Sequence, residues 1–223
     1  MMRKFGKKEL LIRVIACVIG NLLIALGVAL AKIASLGNDP FNGMCMSVSA
    51  FFNVPYTVFT WSLHLLFFLA EILWGRKYIH IGTFINWFLI SFAVSGILAG
   101  YDLILPRPDG LAVRIVILVF GLVICSLGLA VYQTADLGVA PYDALPIIFC
   151  DRFKKFPFFW ARMIEDSLCV LGIVFTLNPE EHLLGIGTLL FALGLGPIIH
   201  LFINLLKKLL KNTVLISGPN TEE

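Results

Sequence analysis

Long apolar runs separated by short polar segments set the pattern of this chain. Crossing about 30 Å of hydrocarbon takes roughly 20 apolar residues in a helix. Six runs reach that length, so the pattern predicts six membrane-spanning helices. They lie at about residues 11–34, 55–75, 81–103, 113–135, 157–177 and 183–206.

Two further helical segments, at 40–52 and 141–153, are too short to cross a bilayer. Each begins with a proline shortly after a Leu-Gly pair, which predicts that one helix stops there and a short one starts. In the second segment only residues 144–150 are apolar, and Pro146 interrupts them. Both segments are therefore expected to be re-entrant or interfacial helices.

The chain repeats itself with an offset of 101 residues. Residues 13–44 align with 114–145 over 32 positions without a gap, which indicates one unit of about 100 residues that has been duplicated. The expected division is 1–104 for the first repeat, 105–212 for the second and 213–223 for a flexible C-terminal tail, all within one membrane domain. The matched residues include Arg13 with Arg114, Gly20 with Gly121, Gly27 with Gly128, Gly37 with Gly138 and Pro40 with Pro141.

The number of spans per repeat sets the expected orientation of the two copies. Three spans make the second copy enter the membrane from the opposite side, which gives inverted repeats. With the N-terminus inside, 14 of the 17 Lys and Arg residues fall on the cytoplasmic side, as the positive-inside rule requires. Eight spans with parallel repeats give the same count. Matched loops of opposite charge favour inversion, since "GRKYIH" is basic where "NPEEH" is acidic, and "FNVP" is neutral where "DRFKKFP" is basic.

The predicted fold is therefore all-α. It is a polytopic membrane helix bundle built from two inverted-topology repeats, each with three spans and one short broken helix. The N-terminal apolar run resembles a signal peptide, but its internal counterpart indicates that it is part of the fold. The expected location is the cytoplasmic (inner) membrane, with several passes and with both termini cytoplasmic.

Composition supports this fold and narrows the function. Hydrophobic residues make up 59% of the chain and charged residues only 14%, as in an integral membrane protein. The formal net charge of +3 is too small for a nucleic-acid-binding surface. The five cysteines form no CxxC pair and are expected to be packing residues. No HExxH, GxSxG, phosphate-binding loop or metal-spaced cluster occurs, so no enzymatic activity, cofactor or metal is expected.

Polar residues cluster around the two helix breaks. Irregular backbone inside a bilayer is tolerated only where protein or a water-filled cavity surrounds it, and transporters aim such broken helices at their substrates. The alternative is that each break merely caps an interfacial helix at the membrane surface. The candidate binding residues here are Asp39, Asn42, Asp136, Tyr142 and Asp143.

Ionisable residues inside the predicted spans are further candidates. With a one-residue gap Pro55 matches Pro157, so the offset becomes 102 and His64 matches Asp166, each nine residues after its proline. Both lie near mid-membrane, so an inverted pair of repeats would let them face each other as a proton relay or a substrate-binding couple. Alternatively, Asp166 pairs with Arg162 one turn away, and His64 bonds to a backbone carbonyl. Glu165 is a second acid at this depth, on a different side of the helix. Glu71 lies near a span end and is expected at the interface.

A family resemblance follows from "LGNDPFNGM" at 36–44, "LGVAPYDAL" at 137–145 and the later "IGT". Each of the first two follows a glycine-bearing apolar helix, and together they resemble the bacterial YitT membrane proteins, especially the YczE branch. In that family an aromatic residue and then Asp follow the proline. Tyr142 and Asp143 fit this pattern, whereas Asn42 replaces the Asp. The resemblance implies a multi-pass membrane protein and no particular substrate.

Two functions remain open at this point. The first is a small secondary transporter or exporter of a cationic or zwitterionic solute, with proton coupling through Asp166 and His64, because acids outnumber bases near the breaks. The second is a non-transporting scaffold or accessory subunit that docks a cytoplasmic partner through "DRFKKF" and "KKLLKN". The expected partners are the lipid bilayer and a small solute or ion, with no nucleic acid. A second copy of the chain is a further candidate partner, as a homodimer.

Overall fold

A computed structural model describes residues 6–154, 156, 158–176 and 184–210. Within these residues every regular element is a helix, which confirms the all-α prediction. The predicted tail at 213–223 lies outside the described residues. The helices are α1 (Lys7–Ala34), α2 (Pro40–Phe51), α3 (Tyr56–Trp74), α4 (Ile81–Ile104), α5 (Leu111–Thr134), α6 (Pro141–Arg152), α7 (Phe158–Thr176) and α8 (Ile186–Leu209), with a 3₁₀ turn at Arg76–Tyr78 between α3 and α4.

Five of these helices, namely α1, α3, α4, α5 and α8, are long and apolar enough to cross a membrane. The sixth predicted span, α7, has 19 residues. Hydropathy does not single it out, because Arg162, Glu165 and Asp166 lie within one turn of one another in its first half. The short helices α2 and α6 have 12 residues each, or about 18 Å at 1.5 Å per residue.

Helices α1 and α5 form the centre of the molecule and run antiparallel, with glycines at their closest contacts. A Cβ added to Gly27 would lie 2.6 Å from the carbonyl oxygen of Gly121. One added to Gly128 would lie 2.7 Å from the carbonyl oxygen of Gly20. Only residues without a side chain let the two backbones approach this closely.

Two arginines tie the ends of α1 and α5 together. Arg13, near the start of α1, donates from Nη1 to the carbonyl oxygen of Ala135 at 3.0 Å, just beyond the end of α5. Arg114, near the start of α5, donates from Nε to the carbonyl oxygen of Ala34 at 2.7 Å, at the end of α1. Each arginine is therefore a cation at the negative end of the partner's helix dipole. Both the donors and the acceptors are related by the 101-residue offset.

The two helix breaks share one backbone conformation. Ser35 and Asp136, at matched positions, both have φ of 51°. Gly37 and Gly138 have φ of 110° and 107°, a region that a residue with a side chain rarely adopts. The Leu-Gly pair therefore supplies the sharp turn that the sequence predicted at both places.

Each break is anchored by the start of a distant helix. The amide of Gly187, in the first turn of α8, donates to the carbonyl oxygen of Leu36 at 2.7 Å. The amide of Gly82, in the first turn of α4, donates to the carbonyl oxygen of Leu137 at 2.7 Å. A Cβ at Gly82 would lie only 2.7 Å from that oxygen, which confirms that these glycines permit close packing.

The short helices are exchanged between the two halves of the chain. Helix α2 packs mainly against α7, and α6 packs mainly against α3. Each short helix therefore lies beside the long helix that follows the other break, and the two N-termini of the short helices meet at the centre of the molecule.

Candidate functional site

A stacked pair of aromatic rings marks the point where the two short helices meet. Phe41 and Tyr142 follow the matched prolines, and their ring centroids are 4.2 Å apart. The imidazole of His64, from α3, stacks on Phe41 at 5.2 Å with the two planes nearly parallel. We call Phe41 and Tyr142 the aromatic pair.

Four charged side chains gather beside Tyr142. Arg162 on α7 forms ion pairs with Asp143 on α6 at 2.7 Å, with Asp166 at 3.4 Å and with Glu165 at 3.8 Å. Its guanidinium also lies over the Tyr142 ring, 4.6 Å from the centroid. The Tyr142 hydroxyl donates to Oδ1 of Asp166 at 2.7 Å. We call these five residues the Arg162 cluster; it holds one guanidinium and three carboxyl groups.

A fourth carboxyl group borders this cluster from the first break. Oδ1 of Asp39 accepts hydrogen bonds from the backbone amide and the side-chain amide of Asn42, at 3.0 and 3.1 Å. Asp39 is therefore the N-cap of α2, whereas Ala140 supplies no side-chain cap to α6. Oδ2 of Asp39 is buried and has no hydrogen-bond partner among the described residues. The charges of Arg162 and Asp166 lie close enough to act on Asp39.

The structure brings together most of the sequence-predicted residues around the aromatic pair, but it does not join His64 to Asp166. Asp166 bonds to Tyr142, and His64 stacks on Phe41, so the aromatic pair lies between them. Neither ring nitrogen of His64 has a hydrogen-bond partner among the described residues, so the backbone-carbonyl alternative is not observed either. The alternative pairing of Asp166 with Arg162 is observed.

The structure also places two further acids that the sequence analysis named, Glu165 and Asp136. Glu165 and Asp166 both reach Arg162, because they follow it by three and four positions on the same helix. Asp136 is exposed at the end of α5, where its left-handed backbone turns the chain away from the helix. It lies outside the Arg162 cluster.

Sequence reasoning also missed Glu71. Its position near the end of α3 suggested the interface, yet it is 0% exposed and both carboxyl oxygens lack a hydrogen-bond partner. A signal was present, since Thr60, His64 and Glu71 recur on one side of a mostly apolar helix. The role of Arg162 as the centre of a cluster was missed because Asp143 reaches it from another helix.

The turn after α3 meets the end of α6 on one side of the molecule. Oδ2 of Asp151 accepts from Lys77 Nζ and from the Tyr78 hydroxyl, each at 2.5 Å. The bond from Lys77, followed by that from Tyr78, holds the pKa of Asp151 below its ordinary value. The same bond to Asp151 raises the pKa of Lys77. The amide of Val139 also donates to the Tyr78 carbonyl oxygen, so the second break lies at this end too.

An apolar groove of about 590 Å³ lies between α1, α3 and α4, away from the Arg162 cluster. Aromatic side chains, among them Trp61, Phe84 and Phe88, line much of it. Its lining suits a lipid chain and offers no charged group to a polar solute.

Comparison with known proteins places the chain in a family. Residues 11–204 match DUF6198, a family of unknown function. The chain belongs to this family. A Bacillus subtilis relative described as uncharacterized membrane protein YczE is 26% identical over 196 residues, which cover 86% of each chain. This confirms the resemblance to the YczE branch and agrees with the five apolar helices: the chain is an integral membrane protein.

Two further relatives of this DUF6198 protein cover similar lengths. The Bacillus subtilis protein YyaS, described as uncharacterized, is 29% identical over 199 residues, which cover 85% of this chain and 92% of the relative. An uncharacterized protein of Haemophilus influenzae is 26% identical over 189 residues, 84% of this chain and 81% of the relative. No solved structure matches the chain.

Proposed function

We propose that the protein is a small secondary transporter or exporter that binds a cationic or zwitterionic solute at the Arg162 cluster. The observation that carries this proposal is the balance of charge at the centre of the molecule. One guanidinium is shared by three carboxyl groups, and a fourth, Asp39, presents an unpartnered oxygen beside them. Charged groups inside a membrane bundle are costly and mark solute or ion pathways.

The membrane arrangement that goes with this function is a pair of inverted repeats. The antiparallel contact of α1 and α5 supports it, together with the exchanged hydrogen bonds of Arg13 and Arg114. A two-fold axis that relates antiparallel spans runs perpendicular to them and therefore lies in the membrane plane. Transporters built in this way bind their solutes where the two repeats meet.

The depth of the short helices supports a re-entrant course for both. Helix α2 begins beside the middle of α3, where Phe41 stacks on His64, and it ends at Phe51, five residues before α3 starts. Helix α6 likewise begins beside the middle of α7, where Tyr142 bonds to Asp166, and it ends shortly before α7 starts. Each short helix thus runs from mid-depth back to the side on which its break lies.

Within this arrangement Arg162 acts as a tethered cation. Its guanidinium forms ion pairs with the carboxyl groups of Asp143 and Asp166 and lies over the ring of Tyr142. An incoming amine or guanidinium competes for the same carboxyl groups, and the ring face of Tyr142 offers it a cation–π contact. A zwitterion would place its amine on Asp143 or Asp166 and its carboxylate on the released Arg162.

Flux measurements in proteoliposomes test the proposal. Purified protein is reconstituted, and a pH gradient is applied with guanidinium, a primary alkylamine or a zwitterionic amino acid as the labelled probe. We expect the wild type to move at least one probe and Asp143→Asn to move it at least tenfold more slowly. Ser167→Ala is the matched control, because Ser167 adjoins Asp166 but is exposed on α7. Movement of no probe, or an unaffected Asp143→Asn, would contradict the proposal.

A scaffold or accessory subunit remains the second candidate. Exposed basic residues collect where the turn after α3 meets the end of α6, and they would suit an acidic face of a cytoplasmic partner; they are Arg76, Lys77, Arg152 and Lys154. Co-purification of such a partner, with normal function retained in Asp166→Asn and His64→Ala, would favour this role. We propose no enzymatic activity and no cofactor.

A further inference from the structure

The side of α3 that faces the protein is polar. All residues of this helix are described, and the three that are buried are Thr60, His64 and Glu71. Offsets of 4 and 7 residues keep them on one face of the helix. The other sides of α3 carry exposed leucines, as a lipid-facing surface requires; these are Leu65, Leu66, Leu69 and Leu73.

The two ionisable members of this row lack partners. His64 is 4% exposed and Glu71 is 0% exposed, and none of their four polar side-chain atoms has a hydrogen bond to a described residue. Leaving a buried polar atom unpaired costs about 1–3 kcal/mol, and a charged one more. A structural role alone does not explain why a membrane helix would keep two such groups.

The groups that face this row are few and mostly neutral. The Thr60 hydroxyl lies beside the Cys45 thiol of α2, and Tyr56 precedes it on α3. Tyr142 of α6 lies beyond Phe41, and Tyr132 of α5 lies near Glu71. The ionisable residues of α4, Tyr101 and Asp102, lie at the end remote from Glu71. No cation forms an ion pair with Glu71 among the described residues.

The corresponding face of α7 is different. Position 162 matches Thr60 and carries Arg162, and position 166 matches His64 and carries Asp166. The position that matches Glu71 is Ile173, which is buried in the apolar core. Among the residues that the structure describes, this row occurs in the first half of the chain, and it runs from the aromatic pair to the end of α3 that meets the basic 3₁₀ turn.

We propose that the inward face of α3 is a proton path, in which Glu71 exchanges protons with the aqueous phase and His64 accepts and holds the proton beside the aromatic pair. This rests on the proposed transport function, which it deepens by naming protons as the coupling ion and α3 as their route. Protonated Glu71 gives its proton to the first of a chain of bridging waters, and the last water passes one to a nitrogen of His64. A carboxylate and an imidazolium result, and Glu71 regains a proton from the aqueous phase.

Bridging water is required by the spacing of the two groups. Seven residues of helix separate His64 from Glu71, a rise of about 10.5 Å, which is too far for direct transfer. Water also supplies the hydrogen bonds that both side chains lack within the protein. The proton thus reaches His64 on one side of the aromatic pair, while the Arg162 cluster holds the solute on the other.

Infrared difference spectroscopy tests the protonation site without any transport. Among the protonated-carboxyl bands of wild type in nanodiscs that change between low and high pH, one should be absent from Glu71→Gln. Asp102→Asn is the matched control and should keep the band, because Asp102 is exposed. Glu71→Asp should also keep a band and serves if the glutamine variant fails to fold. A spectrum that is the same in Glu71→Gln and wild type would overturn the inference.

A coupling assay then separates this inference from the transport proposal. Glu71→Gln and His64→Asn should lose at least tenfold of pH-gradient-driven solute accumulation yet keep solute–solute exchange within twofold of wild type. Full gradient-driven accumulation in both variants would overturn the proton path and leave transport standing. Absence of both activities in wild type would instead count against the transport proposal, while the infrared result would still decide whether Glu71 takes up a proton.

Discussion

Helices α3 and α7 occupy matched positions after the two breaks, yet their inward faces have opposite character. On α3 the inward residues are polar and unpaired, whereas on α7 they are charged and paired. The aromatic pair lies between the two faces and touches both, through His64 and Arg162. The difference shows that two halves with the same backbone conformation at their breaks can carry different side-chain chemistry.

The shared frame, by which we mean the two breaks and the helix starts that bind them, is nearly the same in both halves. Matched residues of the two breaks have φ values within 3° of each other. The matched carbonyl oxygens of Leu137 and Leu36 accept amides from the starts of α4 and α8, respectively. These contacts are backbone to backbone, so most side-chain changes leave them intact. Helices α3 and α7 lie between these contacts and the lipid. At one matched position α3 carries Thr60 and α7 carries Arg162, a difference that alters the chemistry without moving the backbone.

The largest expected effect comes from the position at which the two faces differ most. Arg162→Met leaves three carboxyl groups without their cation, and breaking such a buried pair costs roughly 3–5 kcal/mol. Because a third of the Arg162 side chain is exposed, we expect the lower end, about 3 kcal/mol. Thr60→Val, the matched change on α3, should cost about 1 kcal/mol or less. Unfolding in detergent measures both, and equal losses would break the comparison.

Contacts of the shared frame should respond alike in the two halves. Arg13→Ala and Arg114→Ala each remove a charged donor from the end of the partner helix, at a cost of about 1.5–3 kcal/mol. Arg107→Ala is the control, since its pair with Asp102 is exposed and should contribute under about 1 kcal/mol. If only one of the two variants lowered the thermal unfolding midpoint, the equivalence of the halves would fail.

The glycine contact between α1 and α5 is a second test of whether the two halves are equivalent. Gly27→Val forces a side chain into a backbone contact, and overpacking of this kind costs about 1–3 kcal/mol. Gly128→Val, at the matched position, should cost about as much. Gly96→Ala on α4 meets nothing within 4 Å and should be neutral or slightly stabilising. A stable Gly27→Val protein would show that the helices do not pack as closely as described.

The smallest effect is expected at the exposed pair of Lys77 and Asp151. The folded pKa of Asp151 is lowered. The stabilisation from its carboxylate is therefore fully present above the unfolded pKa of about 4 and is lost as pH falls through the folded pKa. The folded pKa of Lys77 is raised. The stabilisation from its ammonium group is therefore fully present below the unfolded pKa of about 10.4 and is lost as pH rises through the folded pKa. Stability of wild type and Asp151→Asn should therefore differ only between these limits, and 1 M salt should abolish the difference. A difference that did not shrink as the pH falls below about 4 would refute this assignment.

The hydrophobic pattern and the prolines predicted the helices well, because both membrane insertion and the effect of proline on the backbone depend on the local sequence. The observed α2 begins at Pro40 and α6 at Pro141, as expected from the missing amide of proline at a first helical turn. The Arg162 cluster was harder to predict, because Asp143 reaches Arg162 only once α6 packs against α7. The burial of Glu71 was also missed, because both the lipid-facing and the inward sides of a span tolerate apolar neighbours and hydropathy does not distinguish them.

The central claim is that α3 and α7 cross the membrane in opposite directions. Asn53, just before α3, and Lys154, shortly before α7, are both exposed and can each be replaced by cysteine, as Asn53→Cys and Lys154→Cys. The background carries Cys150→Ser, because the other four native cysteines are buried. A membrane-impermeant maleimide applied to intact spheroplasts should label position 53 at once and position 154 only after permeabilisation. Labelling of both positions from the same side would mean that the halves are parallel and would contradict the account.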